Sequence, residues 1–181
     1  MEDTVRRVLQ TEYGLRVLQR LGHGGFGEVY AAETVAEQVP CAIKVSLDRL
    51  DEGNPAVQKE LQILRQLRCL AGHPHLVTLM DMWQIAGFLV TRWELATDGS
   101  LLDLEENYRR QGQAGIPPQE LRRYMWEAAK AIDFLHEHGI DHRDVKPANL
   151  LLLHGHVKLA DLGLAKVAGA SIVSHTGTGT L

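Results

Sequence analysis

Eight consecutive residues, His142-Arg143-Asp144-Val145-Lys146-Pro147-Ala148-Asn149, constrain this chain more than any other stretch. They lie between a helical pattern ending near His138-Gly139 and the apolar run Leu150-Leu151-Leu152-Leu153. Pro147 lacks a backbone N–H and its ring clashes with a preceding helical turn, so the polar residues belong to a loop. A loop braced on both sides by apolar elements is a suitable place for chemistry. Asp144 can accept a proton there, Lys146 can hold an anion and Asn149 can ligate a metal. The plainer alternative is a solvated loop with a capping aspartate.

Upstream, alternating apolar residues from Tyr13 read as a strand that runs into Gly22-His23-Gly24-Gly25-Phe26-Gly27 and resumes at Glu28-Val29-Tyr30. A dinucleotide-binding glycine pattern must open a helix, and here the chain stays extended. A P-loop needs Gly-Lys-Ser/Thr, and Gly27 is followed by Glu28. What remains is a glycine-rich hairpin, either ordinary or one whose bare backbone approaches phosphates.

Cys41-Ala42-Ile43-Lys44-Val45 is a short β-rich run, with Lys44 either at an exposed edge or pointing into a cleft as an anion ligand. Residues 55–70 show helical spacing through Val57, Leu61 and Leu64. Glu60 flanks that stripe and is either solvated or turned inward, where burial would demand a cation such as Lys44. Extended runs are expected at 76–80 and 88–91, the second leading through Trp93-Glu94-Leu95-Ala96 into a linker. Ser100 caps a helix from Leu101. Pro117-Pro118 opens the longest helix, with the stripe Leu121, Tyr124, Met125, Ala128, Ile132 and Leu135. A hairpin around His154-Gly155 and a second acid, Asp161-Leu162-Gly163, follow. Residues 1–12 read as a flexible lead-in or a short helix.

With 181 residues, 45% hydrophobic and 23% charged, the composition is that of a folded domain or a small two-lobed one. A net charge of −4 gives no basic excess for a nucleic-acid binder. No apolar run reaches membrane-spanning length, no signal-peptide core opens the chain, and Cys41 and Cys69 read as free thiols, which points to the cytoplasm.

The glycine hairpin, Ala42-Ile43-Lys44, Glu60, His142-Arg143-Asp144 with Asn149, and Asp161-Leu162-Gly163 occur in an order that resembles the eukaryotic-type Ser/Thr protein kinases from about Tyr13 onward. The wording of His-Arg-Asp-Val-Lys-Pro is also similar to bacterial members. The resemblance implies an α+β, bilobal protein-kinase-like fold: a β-rich N-lobe with one main helix and hinge over 13–96, and an incomplete helical C-lobe over 97–181. It implies ATP and Mg²⁺ as cofactors and Ser/Thr residues of protein substrates as acceptors. It assigns Gly22, Gly24 and Gly27 to the ATP phosphates, with Phe26 at the hairpin tip. Val29 and Ala42 become the adenine roof and Leu151 its floor, with Glu94 C=O and Ala96 N–H on the adenine edge. Lys44, held by Glu60, takes the α- and β-phosphates, and Asn149 and Asp161 take Mg²⁺. Asp144 takes the substrate proton and Lys146 steadies the transferred group. Ser171, Ser174, Thr176 and Thr178 fall in the activation segment, where phosphate on one of them could pair with Arg143; the alternative is a plain Ser/Thr-rich segment.

Four departures go with it. Leu162 stands where the family has Phe. Asp141 replaces an apolar residue and must find a partner or stay wet. Trp93 falls at the gatekeeper position, where it would close the back of the adenine pocket. The sequence stops at Leu181, before Ala-Pro-Glu, so a kinase-domain fragment is expected, with apolar faces of the helix over 118–138 left unpacked. The competing readings are a nucleotide-binding pseudokinase or scaffold, and a small-molecule kinase of the same fold.

Overall fold

A computed structural model of the chain describes residues 1–25, 27–50, 53–163 and 165–167. Phe26 and the expected phosphosites Ser171, Ser174, Thr176 and Thr178 lie outside the described residues.

The first lobe is an antiparallel sheet of β1 (Leu15–Gly24), β2 (Gly27–Thr34), β3 (Pro40–Arg49), β4 (Leu79–Ile85) and β5 (Phe88–Glu94), in the order β1-β2-β3-β5-β4. Successive side chains of a strand point to opposite faces. The register pairs Val29 with Lys44 and Ala31 with Ala42, which puts these four on one face, and pairs Tyr30 with Ile43 and Ala32 with Cys41 on the other. Helix α2 (Pro55–Arg68) covers the first face, packing Val57 and Leu64 on Leu89. Residues 1–12, set apart on sequence grounds, contribute α1 (Asp3–Glu12) to the second face. Val5 and Leu9 are wholly buried there against Leu15, Val17, Tyr30 and Ile43. Burial of two such side chains contributes about 1.5–3 kcal/mol each.

In the second lobe, α3 (Leu101–Arg110) starts on a capping box between Ser100 and Asp103, which satisfies two of its otherwise unpaired N–H groups. The long helix α4 (Pro118–Glu137) has proline in its first turn, where a missing N–H costs nothing. β6 (Ile140–Asp141) follows, then the octet loop with a short 3-10 turn, Pro147–Asn149. β7 (Leu150–Leu153) and β8 (His156–Leu159) form a hairpin. His154 and Gly155 both have positive φ, as a two-residue hairpin turn requires. β9 (Lys166–Val167) pairs with β6.

The extended run at 76–80 enters the five-stranded sheet at Leu79, while Leu76 bridges Leu159 and Val77 N–H donates to the Leu159 carbonyl at 3.0 Å. The unpaired edge of β8 captures this segment. One sequence expectation is corrected. The inward face of α4 is Tyr124, Glu127, Ala128, Ala131 and Leu135, while Leu121 and Met125 are exposed. A carboxylate sits inward because Glu127 accepts the Val157 N–H at 2.7 Å. Trp126 on the same helix is exposed as well.

Candidate active site

The two lobes meet where the Lys44 face of the sheet looks onto the octet loop and the residues after β8. Lys44 Nζ donates to Glu60 Oε1 at 2.7 Å and lies 3.5 Å from Asp161 Oδ1. The Lys44 and Glu60 side chains are 14% and 9% exposed, so Glu60 is the inward residue and Lys44 is its cation. A carboxylate buried this far needs such a partner. The pair ties α2 to β3, and Asp161 extends it into the second lobe.

Gly22, Gly24 and Gly27 close the β1–β2 hairpin, with Gly24 opposite Gly27 and Gly22 opposite Val29. Gly27 sits at φ +148°, and a Cβ there would run into the Val45 carbonyl oxygen. Val29 is half-buried and Ala42 buried on the cleft face; half-buried Leu151 lies on β7, and Glu94 and Ala96 flank the point where the chain leaves β5. Trp93 is paired in register with Ala42 and is half-buried. It packs against the clusters containing Ile63 and Val57, and its ring N–H donates to Thr91 Oγ1 at 2.8 Å.

The octet loop is internally cross-linked. Asn149 Nδ2 donates to the Asp144 carbonyl at 2.8 Å and to its Oδ2 at 2.9 Å, and Lys146 Nζ donates to the same Oδ2 at 2.7 Å. The Lys146 ammonium, and after it the Asn149 amide, hold the Asp144 carboxyl below the usual carboxylate range. Asp144 is therefore an ionised acceptor at neutral pH. Two non-glycine residues here adopt left-handed backbone, Arg143 at φ +68° and Asp161 at φ +62°. Such conformations cost energy and concentrate at functional sites. Gly163 N–H donates to Asp161 Oδ1 at 3.2 Å. Asp141, the acid in an apolar position, is exposed and faces Lys166 across the β6–β9 ladder. Leu162 keeps the packing function of that position, being buried in the second-lobe core.

A sequence model of the protein kinase domain matches residues 15–181. The chain belongs to the protein kinase family. Among curated relatives, the phosphorylase b kinase gamma catalytic chain, liver/testis isoform, of Rattus norvegicus is 33% identical over 150 residues, covering 82% of this chain and 34% of the relative. CBL-interacting protein kinase 19 of Oryza sativa subsp. japonica is 35% identical over 153 residues, 82% of this chain and 28% of that protein. Cyclin-dependent kinase 2 of Caenorhabditis elegans is 34% identical over 153 residues, 82% of this chain and 40% of that protein. The chain spans about a third of the length of the curated relatives it matches. These relatives bear on the kinase family, while the narrower likeness to bacterial members stands on motif wording.

Sequence reasoning gave no role to two groups that shape this candidate site. The buried His142 ring accepts the Asp144 N–H on Nδ1 at 3.3 Å and contacts the Ala160 carbonyl through Nε2 at 2.9 Å. It thereby joins the octet loop to the residue before Asp161. Burial pushes the His142 pKa below its usual value. Its sequence signal was an ionisable residue two places after apolar Ile140, which is wholly buried. The Glu94 side chain accepts from Lys158 Nζ at 3.0 Å and from Thr78 Oγ1 at 3.3 Å, pinning the end of β5 to the second lobe. Nothing local in the sequence signals that contact, because its partners are 64 and 16 residues away. Among the described residues, no helix is long and apolar enough to cross a membrane.

Proposed function

We propose that this chain carries the catalytic core of a non-specific serine/threonine protein kinase, transferring the terminal phosphoryl group of ATP to Ser/Thr hydroxyls of protein substrates. The observation that carries the reading is the convergence of Lys44, Glu60 and Asp161 on one side with the cross-linked Asp144, Lys146 and Asn149 on the other. Phosphoryl transfer asks a protein mainly for positioning and charge stabilisation, and this set supplies both.

The donor chemistry suits Mg²⁺, a hard ion that favours oxygen ligands. Asn149 commits its amide nitrogen to Asp144, which leaves its carbonyl oxygen for a cation, and Asp161 is a carboxylate with 44% of its side chain exposed. Asn149 and Asp161 are the residues that would hold the ion, which when bound neutralises charge on the phosphates. Lys44 grips the α- and β-phosphates, and Glu60 keeps its ammonium aimed. The backbone of Gly22, Gly24 and Gly27 covers the phosphates. Val29 and Ala42 above and Leu151 below enclose adenine, whose edge meets Glu94 C=O and Ala96 N–H. Trp93 closes the back of that pocket. Asp144 orients the substrate hydroxyl and accepts its proton at the carboxylate, and Lys146 steadies the group in flight. The lobes divide near residue 96, and the cytoplasmic setting belongs to the same proposal, supported by the free thiols Cys41 and Cys69.

The test is phosphate transfer from ATP and Mg²⁺ to a Ser/Thr protein substrate by the full-length protein. Asp144→Asn and Lys44→Met are each expected to lower turnover by about 10²-fold or more. Unchanged activity in either variant refutes the role assigned to that residue. Nucleotide binding without any transfer by the wild type would favour the pseudokinase reading instead.

A further inference from the structure

We infer that α1 is a brace on the back of the glycine hairpin and that Glu28 is the positioning residue through which it acts. The functional consequence rests on the nucleotide-binding reading of that hairpin.

The matched kinase domain begins at residue 15, so α1 lies ahead of it. Even so, Val5 and Leu9 are as deeply buried as any residue in the first lobe. The helix covers the sheet face opposite the cleft. Strand alternation in β2 sends Val29 towards the cleft and Glu28 and Tyr30 towards α1. Glu28 directly follows Gly27, so it stands at the base of the hairpin turn.

The Glu28 carboxylate collects three donors. Met1 nitrogen and the Tyr30 hydroxyl each lie 2.7 Å from Oε2, and Arg20 Nη1 lies 3.3 Å from Oε1. One side chain thus links both strands of the hairpin to the start of α1. Arg6 of α1 adds a second tie by donating to the Val17 carbonyl of β1 at 3.2 Å.

The described glycines of the turn ahead of Gly27 face open space. A Cβ placed on Gly22, Gly24 or Gly25 would meet no atom within 4 Å. Among the described residues, the contacts that hold the turn lie at its base, where Gly27 is seated on Val45 and Glu28 is clamped. The brace leaves the glycines free to shape themselves to a ligand while limiting how far the hairpin swings.

Glu28→Gln keeps the volume and removes the charge. In the full-length protein it should raise KM for ATP about fivefold and change kcat by less than about twofold. It should also speed hydrogen exchange at the amides of Gly22, His23 and Gly24. Leu9→Ala, acting from the helix side, should speed the same amides. Leu135→Ala, a comparable cavity in the second lobe, should leave them at the wild-type rate. Wild-type exchange at the hairpin in both Glu28→Gln and Leu9→Ala overturns the brace. So does equal loosening by Leu135→Ala. Exchange is read without nucleotide, so it decides the brace separately from the kinase reading, which fails if the wild type transfers no phosphate.

Discussion

His142 should make the stability of this protein depend on pH in a way that one substitution removes. Its Nδ1 accepts the Asp144 N–H, so the ring proton is on Nε2, where it donates to the Ala160 carbonyl. Protonating Nδ1 would set a donor against a donor inside the core, at a side chain only 2% exposed. Burial accordingly holds the folded pKa below the usual 6.5. The sign follows from linkage: below about 6.5 the unfolded chain takes up a proton that the folded chain refuses. This contribution is complete above about pH 6.5 and is lost as pH falls through that value towards the folded one. His142→Phe keeps a ring but strands the Asp144 N–H and the Ala160 carbonyl, a cost of about 2–4 kcal/mol near pH 8. The assay is urea denaturation of both proteins from about pH 8 down to about pH 5.5. The gap between them should narrow steadily as pH falls below about 6.5. His73, also pushed down by burial, titrates in both proteins and cancels. A gap that stays constant with pH, or a His142 ring titrating near 6.5 by NMR, refutes the reasoning.

Glu60→Gln removes the charge 2.7 Å from Lys44 and leaves the ammonium with Asp161 at 3.5 Å. Steady-state kinetics should show kcat/KM for ATP falling by about 10- to 100-fold. Gly27→Ala, at φ +148° and facing the Val45 carbonyl, should destabilise by about 1–3 kcal/mol in a denaturant titration, while Gly24→Ala, in open space, should cost much less. Glu127 is buried, which pushes its pKa up, but the Val157 N–H at 2.7 Å and His156 outweigh burial and leave it below the usual 4.5. Its contribution is therefore present above about pH 4.5 and lost as pH falls below it. Glu127→Gln should lower the melting temperature by several degrees at neutral pH, with the gap closing in acid.

Much of the fold was legible because its signals are local. The glycine hairpin, the Ser100 cap, the hairpin turn at His154-Gly155 and the proline-opened long helix each depend on neighbouring residues. The family order of Lys44, Glu60, Asp144, Asn149 and Asp161 was legible for the same reason, since short motifs carry it. The inward face of α4 was misread at Leu121 and Met125 because hydrophobicity alone cannot foresee that Glu127 will be turned inward by a strand amide 30 residues away. The pairing of the segment at 76–78 was not legible because its hydrogen-bond partner, the edge of β8, lies some 80 residues downstream in a different lobe.

The sequence by itself determined the kinase motif set, its order along the chain and the loop character of His142–Asn149. Only the tertiary structure decided which of two open readings each charged residue takes. Lys44 and Glu60 are inward because they are paired and mostly shielded from water, whereas an unpaired charge at either position would have stayed in solvent. It also decided that residues 1–12 form part of the first-lobe core, since their two apolar anchors meet partners only when the sheet is assembled. Local chemistry is written in neighbouring residues; pairing and burial depend on contacts distant in sequence, and folding alone brings those together.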